Sequence, residues 1–321
     1  MDKREWNILI CGLGSIGERH FHILKSEFNQ SPSALRQTNR TPRYTEPKKN
    51  YSSFESVIEE AIPDVVVITT PTSLHMDLAL KAARSGCHLF IEKPVSHNTE
   101  GLQDLIDLSI ENQLVVMVGY MMRFHPLIMR MKSLISSGEL GAIIDYKSCW
   151  GEYLPSWHPW EDHRKSYAGR VDLGGGPRLT LSHDVDLLLW FNGFKNVELV
   201  DKIERNTNKL EIETAEEVEL EFRLNSNSTA QVKLSFLENP PRRNISIKFE
   251  KGSLYFDYFK NSLSIERVGK AIEVIQVSDF HRDQLFRNEW EHFFQQLLLK
   301  KSPSVTLQQS QILLNTLSSL D

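Results

Sequence analysis

A chain of 321 residues with 40% hydrophobic and 25% charged residues holds apolar material for about two globular cores. Its formal net charge of -5 argues against a general attraction to nucleic acid or to an anionic membrane, and no apolar run approaches the roughly 18 residues that span a bilayer. Cys11, Cys87 and Cys149 are widely spaced, which points to a reduced intracellular chain rather than a disulfide framework. With a polar stretch, Met1 to Trp6, leading into the first apolar run, the expectation is a soluble cytoplasmic protein without a signal peptide.

The first element predicted is a buried strand at Ile8, Leu9 and Ile10. It meets Gly12-x-Gly14-x-x-Gly17, and helical spacing of Ile16, Phe21 and Leu24 follows at once. Strand, glycine turn and helix start form the pattern that binds a dinucleotide. Gly12 serves a turn of unusual backbone angles, Gly14 lets a pyrophosphate approach the main chain, and Gly17 allows close packing of helix on strand. The N–H groups of the first helical turn, at Ser15 and Ile16, then face the phosphates. A purely structural glycine turn is the competing reading.

A short second strand at Ala34, Leu35 and Arg36 ends where NAD-binding chains carry an acid for the ribose hydroxyls. Here the residues are Leu35, Arg36, Gln37, Thr38, Asn39 and Arg40, with two arginines and no acid. A guanidinium pairs bidentately with phosphate, so NADP(H) is favoured over NAD(H). Residues 38 to 50 read as a polar, basic loop. Ser52-x-x-Glu55 then resembles a capping box opening a helix with Phe54, Val57 and Ile58. Val65 to Thr70 is a near-continuous apolar strand of the kind covered on both faces, and strand and helix alternate as far as Gly119. This predicts a doubly wound parallel sheet over residues 1–121, with ligands at the carboxyl ends of its strands. Those ends carry Thr70-Pro71 with His75, then Glu92-Lys93-Pro94, then Arg123-Phe124-His125-Pro126. Lys93 there would hydrogen-bond a substrate hydroxyl and stabilise charge on its oxygen. On the tripeptide alone, a surface lysine paired with Glu92 reads equally well.

The ordered set Gly12-x-Gly14-x-x-Gly17, Thr70-Pro71-x-x-x-His75, Glu92-Lys93-Pro94 and Arg123-Phe124-His125-Pro126 resembles the Gfo/Idh/MocA family of nicotinamide-dependent oxidoreductases over essentially the whole chain. The resemblance implies an α/β Rossmann domain followed by an α+β domain over 122–321, built on an open, mostly antiparallel sheet with helices on one face. It implies reversible oxidation of a secondary alcohol on a sugar, sugar nucleotide or cyclitol, with Lys93 as the characteristic catalytic residue and Thr70, Pro71, His75, Glu92 and Lys93 beside the cofactor. It also implies a homo-oligomer, a dimer or tetramer.

In the second half, a helix is predicted from Pro126 to Ser137, stopped by Gly138, and a strand from Ile143 to Trp150. The loop from Glu152 to Arg170 is rich in Trp, His and Arg. Trp157 and His158 offer rings for a sugar face, and Arg164, Lys165 or Arg170 a charge for a carboxylate or phosphate, although a self-packed loop is the alternative. Gly174-Gly175-Gly176 then leads to Thr180, Ser182, His183, Asp184 and Asp186 at a helix start. In the family the histidine of a His-x-x-Asp helix opening commonly serves as acid/base, a role that here falls on His183, with Asp186 the weaker candidate. The aspartate usual four residues earlier falls on Leu179, which leaves Thr180 or Asp184 to share the role. Metal binding by His158, His163, His183 and Asp186 has no tight Cys/His spacing behind it, so no metal is expected.

From Asn196 onward the period-two alternation at Glu217–Leu224, Gln231–Phe236, Ile245–Phe249 and Leu263–Ile265 predicts antiparallel strands, with turns at 225–228 and 251–252. Amphipathic helices are predicted over Arg282–Lys300 and Ile312–Leu320. The expected substrate is a small carbohydrate derivative, and an acidic sugar would suit Arg123, Arg164 and Arg170. The loop from Trp157 and the Ser182–Asp186 signature resemble a subgroup associated with surface-glycan and nonulosonic-acid sugar pathways. Neither nucleic acid nor a membrane is an expected partner. Two alternatives stand beside this reading: a noncatalytic nucleotide-sensing protein of the same fold, and a redox-neutral NAD-dependent glycosidase.

Overall fold

The computed structural model describes residues 4–36, 46–225 and 228–320. The chain divides into two compact units, Met1–Met121 with Arg282–Gln311, and Met122–His281 with Ile312–Asp321.

The first unit alternates strand and helix. Its elements are β1 (Ile8–Cys11), α1 (Ser15–Phe28), β2 (Ser33–Leu35), β3 (Asn50–Tyr51), α2 (Phe54–Glu60), β4 (Val65–Ile68), α3 (His75–Arg84), β5 (His88–Glu92), α4 (Leu102–Glu111) and β6 (Val116–Gly119). The strands form one parallel sheet in the order β3-β2-β1-β4-β5-β6, the doubly wound arrangement whose ligand crevice lies outside the carboxyl ends of the strands. Every residue of β1 and β4 is buried, which is why their sequences are continuous apolar runs rather than alternating ones. The cap of α2 is Ser53 and not Ser52. Ser53 has extended backbone, φ -141°, and its side chain accepts the Ser56 N–H at 3.2 Å. Asn50, at the end of the stretch read from the sequence as loop, forms the edge strand β3 with Tyr51.

The second unit contains α5 (Pro126–Ser137), β7 (Ile143–Gly151), α6 (Pro177–Thr180), α7 (His183–Phe191), β8 (Glu198–Arg205), β9 (Glu217–Asn225), β10 (Ser228–Ser235), β11 (Arg242–Phe249), β12 (Gly252–Asp257), β13 (Ser262–Arg267) and β14 (Glu273–Gln276). Its strands form one sheet in the order β14-β13-β12-β11-β7-β10-β9-β8, antiparallel except for the parallel pair β7 and β10. Burial alternates along β10, with Ala230, Val232 and Leu234 on the core side, and α5, α6 and α7 pack on the sheet. The predicted turn at 225–228 includes residues 226 and 227, which lie outside the described residues.

The chain ends in α8 (Asp283–Leu299) and α9 (Leu307–Ser318). Within the first unit α8 packs against α1 and stacks Trp290 on Phe90, with ring centroids 4.6 Å apart. The last helix starts at Leu307, five residues before its apolar spacing became visible in the sequence. No helix of the described residues is long and apolar enough to cross a membrane.

Candidate functional site

In the first unit the glycine turn has three distinct geometries. Gly12 lies at φ +94°, a backbone region open to glycine, and a Cβ there would come within 3.1 Å of the Thr69 carbonyl group. At Gly17 a Cβ would meet the Gly12 carbonyl oxygen at 2.0 Å and Thr69 Oγ1 at 2.7 Å, so helix and turn touch backbone to backbone. At Gly14 a Cβ would have nothing within 4 Å. Thr69 locks the turn by donating from Oγ1 to the Gly12 oxygen at 2.6 Å, while the Gly12 N–H donates to the Leu35 carbonyl at 2.9 Å. That second bond brings the end of β2 against the turn and sets Arg36 one residue beyond it. Gln37, Thr38, Asn39 and Arg40 lie outside the described residues.

These residues fit a nicotinamide dinucleotide. The open space at Gly14, before the first turn of α1 with Ser15 and Ile16, is where a pyrophosphate approaches such a turn. Thr70 Oγ1, past the end of β4, is buried and has no hydrogen-bond partner among the described residues. A buried hydroxyl in that state is a place for a polar ligand atom.

At the end of β5 the Glu92 carboxylate is shaped from several sides. Its Oε2 accepts the Lys93 N–H at 3.1 Å and its Oε1 lies 2.8 Å from His20 Nε2. Gly119, opposite, leaves it room, since a Cβ there would lie 3.2 Å from Oε1. Burial raises the Glu92 acid, but the His20 hydrogen bond, the Lys93 charge and the Lys93 N–H outweigh it and hold the group below the ordinary range. His75 is buried, with Nδ1 3.0 Å from the Pro94 oxygen and Nε2 2.8 Å from the Thr70 oxygen. Burial is the main cause of its lowered pKa, against the two carbonyl oxygens beside the ring. Each nitrogen faces a carbonyl oxygen, so a ring with one N–H donates to one of them, and His75 lies between the Thr70-Pro71 turn and the segment after Lys93.

In the second unit His183 opens α7 and is almost fully buried, its ring 5.3 Å from that of Trp150 and tilted 35°. The two aspartates beside it are each matched by a buried arginine. Arg123 holds Asp186 through Nε at 2.8 Å and Nη2 at 2.5 Å, and Arg243 reaches Asp184 at 3.3 Å while lying 3.7 Å over the Trp150 ring. Burial pushes both carboxyls above their ordinary range, against the pull of the arginines. The motif around Arg123 thereby acquires separate parts. Arg123 pairs with α7, His125 caps α5 by accepting the Leu127 N–H at 3.2 Å, and Pro126 is the first residue of that helix. Burial, then the Arg243 charge, drive His125 down to about 3, so the cap is neutral. Thr180 is buried at the end of α6.

The aromatic loop is folded largely on itself. Trp157 sets its ring edge-on to Phe236 at 5.5 Å, and the His158 ring lies 5.4 Å from that of Trp160. Arg164 pairs with Asp162 and Glu211, each at 2.9 Å, and Arg170 with Asp172 at 2.5 Å. Sequence reasoning missed His20, Trp150, Arg243, Glu289 and Trp290. No local spacing signalled them, because the partners that give them a role lie far away along the chain.

Residues 6–120 match the family described as "Oxidoreductase family, NAD-binding Rossmann fold", and residues 128–255 match the "GFO/IDH/MocA C-terminal domain". The chain is 27% identical over 222 residues to a UDP-N-acetylglucosamine 3-dehydrogenase of Acidithiobacillus ferrooxidans, covering 68% of this chain and 63% of that one. It is 28% identical over 139 residues to a 2,7-anhydro-N-acetylneuraminate hydratase of Escherichia coli, covering 43% and 36%. Other curated relatives are matched over about a third of their own length, 27% to 36%. In fold, the chain is similar to a levoglucosan dehydrogenase solved in complex with NADH, at TM-score 0.84 and 17% identity over 97% of this chain and 94% of that one.

Proposed function

We propose, for a chain that belongs to the Gfo/Idh/MocA family of oxidoreductases, that it oxidises or reduces a secondary alcohol or ketone on a sugar, sugar nucleotide or acidic sugar derivative. One observation carries the reading. The ends of β1, β4 and β5 present the open glycine turn, the unpartnered Thr70 hydroxyl and Lys93 beside its Glu92 carboxylate within a single unit. Nicotinamide, when bound, supplies or accepts the hydride. Lys93 polarises the substrate oxygen and stabilises negative charge on it. His183 takes the alcohol proton in oxidation and returns it in reduction, with Asp184, Asp186 and Thr180 as its neighbours on α6 and α7.

In this proposal Ser15 and Ile16 offer N–H groups to the phosphates, and Arg36 favours NADP(H) because its guanidinium follows β2 at the glycine turn where no acid stands. The ion pairs of Arg123, Arg164 and Arg170 satisfy their charges within the second unit, so substrate selection falls more to Trp157 and His158 than to those arginines. The three cysteines are free and buried, which supports a reduced cytoplasmic setting. The proposed working form is a homo-oligomer, a dimer or tetramer.

A second reading is redox-neutral chemistry on an anhydro or glycosidic sugar, in which hydride is taken and returned within one turnover. The similarity to a protein named as a hydratase of 2,7-anhydro-N-acetylneuraminate favours it.

Titration with NADPH and NADH followed by a screen of sugars and keto-sugars tests both. Tighter NADPH binding with net turnover is expected. Failure of both nucleotides to bind would make the glycine turn structural, and a copurifying cofactor that never needs replenishing would select the redox-neutral reading. Lys93→Ala and His183→Ala are expected to lower kcat by about a hundredfold to ten-thousandfold while leaving cofactor bound. Full activity in either removes that residue from the mechanism.

A further inference from the structure

The first unit holds a chain of side-chain hydrogen bonds running into Glu92 that the proposed mechanism does not use. Trp290 on α8 donates from Nε1 to His20 Nδ1 at 3.0 Å, and His20 Nε2 lies 2.8 Å from Glu92 Oε1. The other Glu92 oxygen accepts the Lys93 N–H at 3.1 Å. An indole N–H can only donate, so His20 Nδ1 must accept and the ring proton sits on Nε2, aimed at the carboxylate. Trp290 and His20 are fully buried and Glu92 is 7% exposed. The His20 ring is further held edge-on by Phe90 at 5.1 Å and Phe286 at 5.4 Å. Three elements distant in sequence thus converge on one carboxylate, and each bond fixes the orientation of the next.

We propose that His20 and Trp290 are positioning residues for Lys93, acting through Glu92, whose carboxylate they orient from α1 and α8. The assignment rests on the reading of Lys93 as the catalytic lysine. Bonded on one oxygen to His20 and on the other to the Lys93 backbone, Glu92 sets where the lysine leaves the strand. The titratable groups facing it are His20 from α1, His75 from α3, Glu289 from α8 and Lys93 next along the chain. Glu289 is completely buried, and neither of its carboxyl oxygens has a hydrogen-bond partner among the described residues. Burial, then the Glu92 charge, favour its neutral acid form, so it sets no second negative charge against Glu92. Loss of the His20 donor removes the leading group that holds Glu92 ionised, and Glu92 then takes up its proton at higher pH.

The test compares His20→Leu, His20→Gln and Trp290→Phe in the full chain. A glutamine amide nitrogen can replace the Nε2–H donor. His20→Leu is expected to lower kcat by about a hundredfold, the scale of a small misplacement of a catalytic group, with NADPH and NADH affinity unchanged. Its acid limb of kcat against pH should move upward, His20→Gln should recover most of the rate, and Trp290→Phe should shift the limb in the same direction by less. Nitrogen-15 spectra of the unsubstituted protein should show His20 as the Nε2–H tautomer, and the Glu92 carboxyl carbon should titrate higher in His20→Gln than in wild type but lower than in His20→Leu. These spectra need no substrate. If no carbinol or ketone is turned over, the oxidoreductase reading falls while the spectra still decide the relay. A folded His20→Leu protein with wild-type kcat and an unmoved acid limb overturns the proposal, as does an Nδ1–H tautomer. Should His20→Leu fail to fold, an unmoved limb together with an unmoved Glu92 titration in Trp290→Phe overturns it equally.

Discussion

A carboxyl group placed like that of Glu289, at 0% exposure with no hydrogen-bond partner among the described residues, is stable chiefly as the neutral acid. Its folded-state pKa is raised well above the ordinary value, so its favourable contribution to folding is complete below the unfolded value of about 4.3 and is lost as pH rises towards the folded value. Each unit of separation that is crossed costs about 1.4 kcal/mol. Glutamine has the same shape and no charge to suppress. Glu289→Gln is therefore expected to melt above wild type at neutral pH, with the gain shrinking towards about pH 4. Calorimetry at several pH values checks this, and a gain independent of pH would mean that the acid is already ionised or solvated. Substitution acts the opposite way at the buried arginine pairs made with α7, because removing either partner strands a charge in the interior.

At the scale of the element, the turn between β1 and α1 separates folding from binding within six residues. Gly17 touches the Gly12 carbonyl oxygen and Gly14 faces open space, so the same substitution should act differently at the two positions. Gly17→Ala drives a methyl group to within 2.0 Å of backbone oxygen, and a loss of about 1–3 kcal/mol is expected, read as a lower melting temperature. Gly14→Ala should melt as wild type does and bind NADPH about tenfold more weakly or worse, roughly 1.4 kcal/mol. Equal melting temperatures with equal affinities would show that nothing approaches the turn at Gly14. The aromatic loop after β7 behaves as a folded element too. Its arginines bind its own carboxylate at 162 and those of 211 and 172.

At the scale of the whole molecule, the first unit is discontinuous in sequence, because α8 from the far end of the chain packs on α1 and supplies Trp290 and Phe293 to the core around Phe90. A fragment ending at Met121 lacks that cover. It is expected to lose the cooperative melting transition and near-ultraviolet dichroism of the full chain, and a cooperatively melting fragment would show that α8 is dispensable. The sequence by itself determined the local pattern: the apolar runs of β1 and β4, the glycines of the first turn, the Glu92-Lys93-Pro94 segment, the helix from Pro126 to Ser137, and the alternation along β9 to β11. Each is written in periods of a few residues, imposed by backbone geometry on whichever face is buried. Tertiary structure alone decided that α8 joins the first unit, that β7 pairs in parallel with β10, that Arg123 turns to Asp186, and that His20, Trp290 and Glu289 gather around Glu92. Those choices join residues 63 to 270 positions apart, and at such separations the pairing is set by which surfaces are left to be covered, which no local spacing encodes.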